Sequence, residues 1–553
     1  LQTIIEPIFN KDYRKKKMKV VKFGGKSLAN GKGLKNAIEI ILQKYKNNEK
    51  ITVVASARGN STNDLEAILQ KAAAKKEYKT KFEKFKEYQL EPNNSVDFSQ
   101  EFSKLETIFE GVSLLGDYSQ KIKDEVLAQG ELLSVKLIAS LLEKENISAN
   151  ATDARALIIT DENFGNAQPI TSISKENVIS YYKKNKDAIN IVTGFISSNK
   201  KGETTTLGRN GSNYTAALLA NFLDADELQN YTHVSGIFTA NPDLVADAKK
   251  IEQLSYSEAN ELANFGATIL HAKTIIPLLE KNINLRILNT FNKEDKGTLI
   301  TAESSSAKGI KSISTIDNVA LLNFEGRGLL GKVGVDARIF KTLSDRNISI
   351  SIIAQGSSER GIGLIIDADK AQEAVAALER EFENDFYSQD VNHISIVNNV
   401  AVISIIGQDL SEFHLPYNAL IKNQIVPVLF NNTVTGKNVS LVVKKDQLHK
   451  AVNVIHGQVF GVTKKINIAI FGKGLVGGTL IDQIIENTQS VLERRKLQLN
   501  VFAVANSKKV LLNKNGVSKN WKENLLENGD ENATVHDIIA FAKAHHFENL
   551  IAV

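Results

Sequence analysis

The chain has 553 residues, enough for three or four domains of ordinary size. Hydrophobic residues make up 42% and charged residues 24%, which is typical of globular protein and excludes wholesale disorder. There is no cysteine, so disulfide scaffolds, thiolate metal sites and cysteine nucleophiles are excluded. A net charge of +5 over this length is weak evidence for nucleic-acid binding, and no apolar run is long enough for a membrane span. We therefore expect neither nucleic acid nor a membrane as a partner.

The first 17 residues read poorly as a folded element. The only methionine is Met18, and the stretch before it is rich in lysine. One interpretation is a basic tail for an anionic partner, and the other is a non-native or disordered leader at 1–17. We favour the leader. No apolar signal-peptide core follows, so we expect a cytoplasmic protein.

From Met18 onward, strands alternate with helices. Apolar runs at 20–23, 51–55 and 189–193 predict buried strands, and apolar positions at 34–41 predict one face of a helix. This alternation predicts an α/β fold with a mostly parallel sheet and helices on both faces. The lysine-rich stretch 71–109 predicts helices that lie on the surface.

The pattern changes near residue 300. A small, polar stretch at 301–307 predicts a linker, and two similar stretches follow at 317–386 and 398–461. Each predicts the order strand, helix, strand, strand, helix, which makes a tandem repeat of a small α+β unit. The predicted strands are 319–324, 348–353 and 362–366 in the first stretch and 400–406, 424–429 and 439–443 in the second, with last helices beginning at Lys370 and Gln447.

A third region begins near residue 466. A strand at 466–471 is followed by Gly472, Gly474 and Gly477 in a G-x-G-x-x-G pattern, with a helix predicted from Thr479. A strand that leads through this pattern into a helix is the context of the dinucleotide-binding fingerprint. The sequence stops in a strand-like segment at 549–553, so we expect this domain to be truncated.

The second strand of this region, at 499–505, predicts which dinucleotide binds. No acidic residue follows it to hold a ribose 2′-hydroxyl, and Asn506, Lys508 and Lys509 stand there instead. A basic pair suits a 2′-phosphate, so we expect NADP(H), with NAD(H) possible. The alternative is that both lysines are solvated turn residues.

Chemistry-bearing residues follow several strands of the first region. Lys22 precedes Gly24 and Gly25, whose backbone can approach phosphate oxygens, although the spacing is not that of a Walker motif. Glu131 can bind an ammonium group, and Arg209 can hold a carboxylate with a bidentate fork. Because ligands bind beyond the carboxyl ends of parallel strands, these residues together suit an amino-acid substrate and a phosphate donor. Taken singly, each is more often a turn, a cap or a surface ion pair.

Longer motifs carry a family resemblance. They lie at 22–25, 130–134, 207–212, 254–259, 265–271 and 289–300 in the first region, at 328–334 and 348–355 in the repeat, and at 472–478 and 504–507 in the third. Residues 18–300 resemble an aspartate kinase of the amino-acid kinase fold. The tandem repeat, 301–465, resembles paired ACT regulatory domains, and 466–553 resembles the start of a homoserine dehydrogenase with a partial Rossmann domain. This order is similar to that of the bifunctional aspartokinase–homoserine dehydrogenases.

The resemblance implies roles for individual residues. It places Lys22, Gly24, Gly25, Ser27, Thr232 and His233 at ATP; Ser56, Thr62, Glu131 and Arg209 at L-aspartate; and Lys22, Arg209 and Asn213 in catalysis. It implies transfer of the γ-phosphoryl group to the aspartate side chain, giving β-aspartyl phosphate, the first step of threonine, lysine and methionine biosynthesis. No metal-ligand cluster is visible, so Mg²⁺ is expected to arrive on the nucleotide.

The chain also departs from the family pattern. Unusual residues stand at Lys26, Asn213, His233, Asn241, Asp243 and Thr268. One interpretation is a kinase that has redistributed its charges and stays active, which we favour. The alternative is a non-catalytic amino-acid sensor on a degraded kinase scaffold; a kinase for another acidic substrate explains the fold but not the regions that follow.

Regulation and assembly are also implied by the resemblance. Paired ACT domains imply feedback control, with L-threonine as the expected effector, Asn347 and Gln355 as candidate contacts, and a homodimer or homotetramer. The sequence ends before the substrate-binding part of a homoserine dehydrogenase, so we expect no hydride transfer from these residues alone.

Overall fold

The computed structural model describes residues 18–553 except 266–269, 304–308, 327–332, 356–360, 408–412, 434, 462–463, 496, 546 and 548. The chain divides into two compact units. The first contains Leu1–Asn241, Lys249–Glu412 and Pro427–Leu448, and the second contains Pro242–Ala248, Phe413–Val426 and His449–Val553. The leader predicted at 1–17 lies outside the described residues. Within the described ranges, no helix is long and apolar enough to cross a membrane.

The region up to residue 301 is built on an eight-stranded sheet. Its elements are β1 (Met18–Phe23), α1 (Lys32–Lys46), β2 (Lys50–Ala55), α2 (Ser61–Ala73), α3 (Lys79–Leu90), α4 (Ser99–Leu115), α5 (Gln120–Lys144), β3 (Ala149–Thr152), β4 (Ile159–Thr160), α6 (Thr171–Lys184), β5 (Ile189–Thr193), β6 (Ile196–Asn199), β7 (Thr204–Thr206), α7 (Gly211–Phe222), β8 (Glu227–Thr232), β9 (Gln253–Ser255), α8 (Tyr256–Asn264), α9 (Ala272–Leu279), β10 (Asn284–Asn289) and β11 (Thr298–Thr301). The strand order is β3-β5-β2-β1-β8-β10-β11-β9, and every pair is parallel except β10–β11. Strands β4, β6 and β7 form a separate small sheet. The predicted mostly parallel sheet is confirmed.

The central strands are apolar because the sheet is covered on both faces. Successive side chains of a strand point to opposite faces. Accordingly, Val21 and Val53 lie in one hydrophobic core, and Val20 and Val54 lie in a second. This is the burial that an uninterrupted apolar strand predicts.

The prediction that 71–109 lies on the surface was wrong. Helices α3 and α4 bury Phe82, Phe85 and Phe109, and Phe98 just before α4 is also buried. These rings pack into the same core as β1 and β2. Lysines between the aromatic positions hid this apolar face, because long charged side chains can cover a helix whose other face is buried.

The tandem repeat forms a second sheet. Its elements are β12 (Ile310–Glu325), α10 (Val335–Ser344), β13 (Ile350–Gln355), β14 (Gly361–Asp367), α11 (Ala371–Glu381), α12 (Glu383–Tyr387), β15 (His393–Gly407), α13 (His414–Lys422), β16 (Leu429–Asn432), β17 (Asn438–Lys444) and α14 (Leu448–Phe460). The six strands are antiparallel in the order β13-β14-β12-β15-β17-β16. Helix α13 and nearly all of α14 belong to the second unit. The repeated order of strands and helices is confirmed.

One strand of the repeat was predicted too early. The strand expected at 424–429 begins only at Leu429. Gln424 has a positive φ of 60° in the turn after α13, and Pro427 has no amide hydrogen to donate to a neighbouring strand.

The second unit also contains a four-stranded sheet. Its elements are β18 (Lys464–Phe471), α15 (Leu475–Arg495), β19 (Leu497–Ala505), β20 (Val510–Leu512), α16 (Trp521–Asn528), α17 (Val535–Ala544) and β21 (Leu550–Ala552). The order is β20-β19-β18-β21, with β18 parallel to both β19 and β21. The helix predicted from Thr479 begins four residues earlier, at Leu475, so that Gly477 lies in its first turn.

Candidate active site

A cavity of about 670 Å³ lies where β1, β2 and β5 end. Eight of the predicted site residues line it: Lys22, Gly24, Gly25, Ser56, Thr62, Glu131, Arg209 and Asn213. They come from four separate parts of the sequence, and the parallel sheet brings them to one edge. Both halves of the predicted site, the phosphate side and the amino-acid side, therefore open into the same space.

The Lys22 side of the cavity can accept phosphate groups. Lys22 is buried, and burial lowers the pKa of its ammonium group to about 8. A side chain at Gly25 would place its Cβ 2.8 Å from the carbonyl oxygen of Ala57. The Gly59 amide donates to the Gly25 carbonyl at 2.9 Å, which fixes the close approach of the two loops. Position 25 therefore requires glycine, and the backbone of this turn lies close to the Lys22 ammonium group.

Glu131 presents a carboxylate to the cavity from the middle of α5. Its Oε1 accepts a hydrogen bond from the Ala57 amide at 3.2 Å, and its buried Oε2 has no partner among the described residues. Burial raises the pKa of Glu131 to about 8. A buried carboxylate with a free oxygen is costly unless a ligand supplies a donor, and an ammonium group would do so.

Arg209 lies in the loop between β7 and α7. The neighbouring Gly208 and Asn210 both have positive φ, at 76° and 60°. The Lys273 ammonium donates to the Asn166 side chain at 2.6 Å and to the Leu207 carbonyl at 3.3 Å, which ties α9 to this loop. The exposed guanidinium of Arg209 therefore stands on a backbone that is held in place.

Asn213, in the first turn of α7, contributes an amide to the same wall. Its Oδ1 is buried and finds no hydrogen-bond donor in the described part of the chain. The structure thus has two unpartnered buried oxygens, those of Glu131 and Asn213, in residues that line one cavity. Unsatisfied polar atoms of this kind point to a bound ligand.

Sequence reasoning missed Asp124. This fully buried residue accepts hydrogen bonds from the Gly165 amide at 2.8 Å, the Thr206 amide at 3.0 Å and the Thr206 hydroxyl at 3.0 Å. Burial raises the pKa of its carboxyl group above the ordinary value. It joins the loop at Gly165 to the end of β7, and both line the cavity. The available signal was its position two helical turns before Glu131, on the same face of α5.

Three predicted ATP-binding residues are not among the residues that line this cavity. Ser27 is buried, donates to the Tyr231 carbonyl at 3.3 Å and accepts from the Thr290 hydroxyl at 2.8 Å. These bonds connect the turn after β1 with the ends of β8 and β10, so the hydroxyl has a structural task. Thr232 and His233 follow at the end of β8, where partial burial and the charge of Lys26 lower the pKa of His233.

Three further residues depart from the family pattern, namely Asn241, Asp243 and Thr268. Asn241 and Asp243 are exposed and do not line the cavity. Thr268 lies outside the described residues. No group of three or more His, Asp or Glu side chains in the described ranges is placed to hold a metal ion.

The glycine pattern of the third region forms a tight turn. Gly472 has φ +124°, and a Cβ at Gly477 would lie only 2.0 Å from the Gly472 carbonyl oxygen. The Gly472 amide donates to the Ala505 carbonyl at 2.8 Å, which joins the turn to the end of β19. Gly474 has open space around it. This is a cradle that any side chain at 477 would fill, as the dinucleotide fingerprint requires.

The residues predicted to read the 2′-phosphate form the next turn. The Asn506 side chain accepts from the amides of Lys508 at 2.7 Å and Lys509 at 2.8 Å. The Lys509 ammonium donates to the Leu526 carbonyl at 2.7 Å and lies 3.2 Å from the Glu531 carboxylate. Lys508 is exposed, so it is the better placed of the two lysines to meet a phosphate.

The candidate regulatory residues are both exposed. Asn347 closes the turn after α10 with a positive φ of 54°, and Gln355 is the last residue of β13. The motif at 328–334 lies largely outside the described residues.

Comparison with known proteins shows to which family the chain belongs. Residues 17–289 match the amino acid kinase family, and 322–382 match the ACT domain. The bifunctional aspartokinase/homoserine dehydrogenase of Haemophilus influenzae is 32% identical over 97% of this chain, which spans 68% of that protein. The chain belongs to the bifunctional aspartokinase/homoserine dehydrogenase family. A chloroplastic relative from Arabidopsis thaliana is 27% identical, and the chain covers 60% of its length.

Solved structures agree with this assignment. E. coli aspartokinase III in complex with aspartate and ADP matches 80% of this chain with a TM-score of 0.69 at 26% identity, and all of that protein is covered. The same enzyme with lysine and aspartate matches with a TM-score of 0.66. The amino-acid kinase fold followed by ACT-type domains, expected from the sequence, is confirmed.

Proposed function

We propose that the first region is an aspartate kinase, which transfers the γ-phosphoryl group of Mg-ATP to the side-chain carboxylate of L-aspartate. One observation carries the proposal: Lys22, Glu131 and Arg209 line a single cavity. A carboxylate and a guanidinium suit the two charges of an amino acid, and a buried lysine beside a glycine loop suits phosphate. The E. coli relative bound to aspartate and ADP supports the choice of substrates.

In this proposal each charged residue has a distinct task. Glu131 receives the aspartate ammonium through its unpartnered oxygen, and Arg209 holds a carboxylate in a bidentate fork. Ser56 and Thr62 add hydroxyl groups at the same wall. Lys22 neutralises the charge that develops on the transferring phosphoryl group. Positioning and charge neutralisation are enough for in-line transfer, so no covalent enzyme intermediate is required.

The nucleotide is proposed to extend from the Gly24–Gly25 turn towards the ends of β1 and β8. Lys26 and His233 lie there, and partial burial together with the charge of Lys26 lowers the pKa of His233. The resemblance to the family leads one to expect an acidic residue where this chain has Asn213. The cavity wall at the start of α7 therefore carries one negative charge fewer than the family pattern implies. We propose that the redistributed charges leave the kinase active.

The two later regions are proposed to bind an effector and a dinucleotide. The ACT region is proposed to bind L-threonine as feedback effector, with Asn347 and Gln355 as contacts, in a homodimer or homotetramer. The glycine cradle at 472–477 is proposed to hold the pyrophosphate of NADP(H), a cofactor that supplies hydride chemistry when bound.

The test is hydroxamate trapping of the acyl phosphate formed from Mg-ATP and L-aspartate. Succinate is the matched control, because it keeps both carboxylates and lacks the ammonium group that Glu131 is proposed to bind. Aspartate-dependent product with none from succinate supports the assignment. Folded protein that makes no product favours the non-catalytic sensor. Adding L-threonine or L-lysine in parallel tests which effector, if either, suppresses turnover.

A further inference from the structure

Arg58 is buried in an unusual setting. It lies in the loop between β2 and α2, and none of its surface is exposed. Its guanidinium contacts neutral acceptors: one terminal nitrogen donates to the Asn30 side chain, and the other donates to the Gln89 carbonyl at 2.9 Å and the Gln89 side chain at 2.6 Å. Its Nε has no partner within the described residues.

This arrangement costs stability. A buried cation is normally paired with a carboxylate, and leaving it without one is expensive. The charge of the nearby Glu91 acts to raise the pKa of Arg58, but the Glu91 carboxylate accepts its hydrogen bond from the Asn30 side-chain amide instead. Burial accordingly lowers the pKa of Arg58 to about 10. The fold keeps a feature that an apolar side chain would avoid, which is expected at positions that serve function.

The bonds of Arg58 connect helix α3 to the cavity loop. The Gln89 amide that faces Arg58 also donates to the Ser61 hydroxyl at 2.7 Å, and that hydroxyl donates back to the Arg58 carbonyl at 2.6 Å. The Tyr88 ring lies 5.3 Å from the Arg58 guanidinium carbon. Tyr88 and Gln89, two consecutive residues of α3, thus contact the Arg58 side chain, and Gln89 is also linked to the Arg58 backbone through the Ser61 hydroxyl.

The same loop carries contacts of both substrate sides. The Ala57 amide bonds Glu131, and the Gly59 amide bonds the Gly25 carbonyl. Arg58 lies between these two residues. Any shift of its side chain would therefore move the ammonium site and the phosphate loop together.

We propose that Arg58 is a positioning residue, which locks the 56–60 loop and the start of α2 to α3 and so orders the aspartate and ATP sites at once. This rests on the proposed kinase function. Arginine suits the task because its planar fork reaches Asn30 and Gln89 simultaneously, whereas a lysine ammonium is a point charge that cannot reproduce the fork.

The test compares Arg58→Lys and Gln89→Glu with Lys86→Met, a half-buried cation on the same helix whose ammonium lies 4.8 Å from the Phe82 ring. Gln89→Glu gives the buried Arg58 cation a carboxylate partner that the wild type lacks, and it removes the donor to Ser61. We expect kcat/KM to fall about 10- to 100-fold in both loop variants, as misplacement of reacting groups predicts, with KM raised for both substrates. Lys86→Met should match the wild type.

Hydrogen exchange of the 56–63 amides in the ligand-free protein gives a readout that needs no activity. We expect faster exchange in Arg58→Lys and Gln89→Glu at temperatures where both stay folded. A lowered melting temperature with unchanged kcat/KM and unchanged exchange would overturn the proposal and make Arg58 a purely structural residue. If the wild type forms no aspartyl phosphate, the kinase assignment fails, while the exchange result still decides whether Arg58 orders the loop.

Discussion

Replacing Glu131 with glutamine separates two effects of this side chain: the free-energy cost of burying its carboxylate, and the contribution of that carboxylate to aspartate binding. Burial moves the pKa of Glu131 from its ordinary 4.5 to about 8 in the ligand-free protein. At about 1.4 kcal/mol for each tenfold change in proton affinity, this corresponds to about 5 kcal/mol between the protonated and the ionised form. The side chain is almost fully buried, so little of this is screened by solvent.

The sign of the effect on stability follows from the raised pKa. The folded protein binds this proton more tightly than the unfolded chain, so the contribution is fully present below pH 4.5 and is lost as the pH rises through 8. The wild type should therefore lose up to about 5 kcal/mol from this group between those limits. Glu131→Gln stays neutral and should lose none of it.

The assay is thermal unfolding of the ligand-free protein at pH 6 and pH 9. Glu131→Gln should gain melting temperature relative to the wild type as the pH rises, and Glu143→Gln, an exposed control on the same helix, should not. The variant should bind aspartate about 10- to 100-fold more weakly, because a charge-assisted hydrogen bond is lost. Aspartate binding to the wild type at pH 7 should release close to one proton, measured by calorimetry in buffers of different ionisation enthalpy. Identical pH dependence in the wild type and Glu131→Gln would refute the reasoning.

Three further outcomes are expected. ATP affinity should fall as the pH rises through 8, because Lys22 loses its charge there, and Lys22→Met should abolish this dependence in a binding titration; a flat wild-type profile would contradict the lowered pKa of Lys22. Gly25→Ala should weaken ATP binding at least about tenfold and should weaken aspartate binding as well, since its Cβ would lie 2.8 Å from the oxygen of Ala57, whose amide bonds Glu131; unchanged ATP affinity would argue against that loop as the phosphate site. Gly477→Ala should abolish NADP(H) binding measured by fluorescence, because its Cβ would meet the Gly472 oxygen at 2.0 Å, while kinase turnover stays at the wild-type rate; retained binding would remove the cradle from the proposal.

The sequence predicted those features of the sites that depend only on residues close together in the chain. The glycine turns at 24–25 and 472–477 were visible because a strand, two or three glycines and a helix follow each other within a short stretch. The uninterrupted apolar strands predicted a sheet buried on both faces, and the structure has one. The motif order led to the family, which the comparisons confirm.

Assignments that depend on the direction of a side chain could not be made from the sequence. Ser27 sits in the right motif, yet its hydroxyl bonds the backbone of Tyr231, about two hundred residues later. Lys509 follows the right strand, yet its ammonium is held by Leu526 and Glu531. In both cases a competing hydrogen bond decides which way the group points, and that partner is unknown until the chain is folded.

The sequence by itself determined the α/β class of the first region and the repeated α+β units, because these follow from periodicity. Its motifs and the family resemblance that they carry led to eight of the residues that line the cavity. Only the tertiary structure showed that Asp124 and Arg58 hold the loops of the site. Neither lies in the motifs that carry the family resemblance, and the importance of each comes from being buried against partners distant in the chain. Burial converts an ordinary charge into a strong and specific contact, and burial is a property of the packed fold.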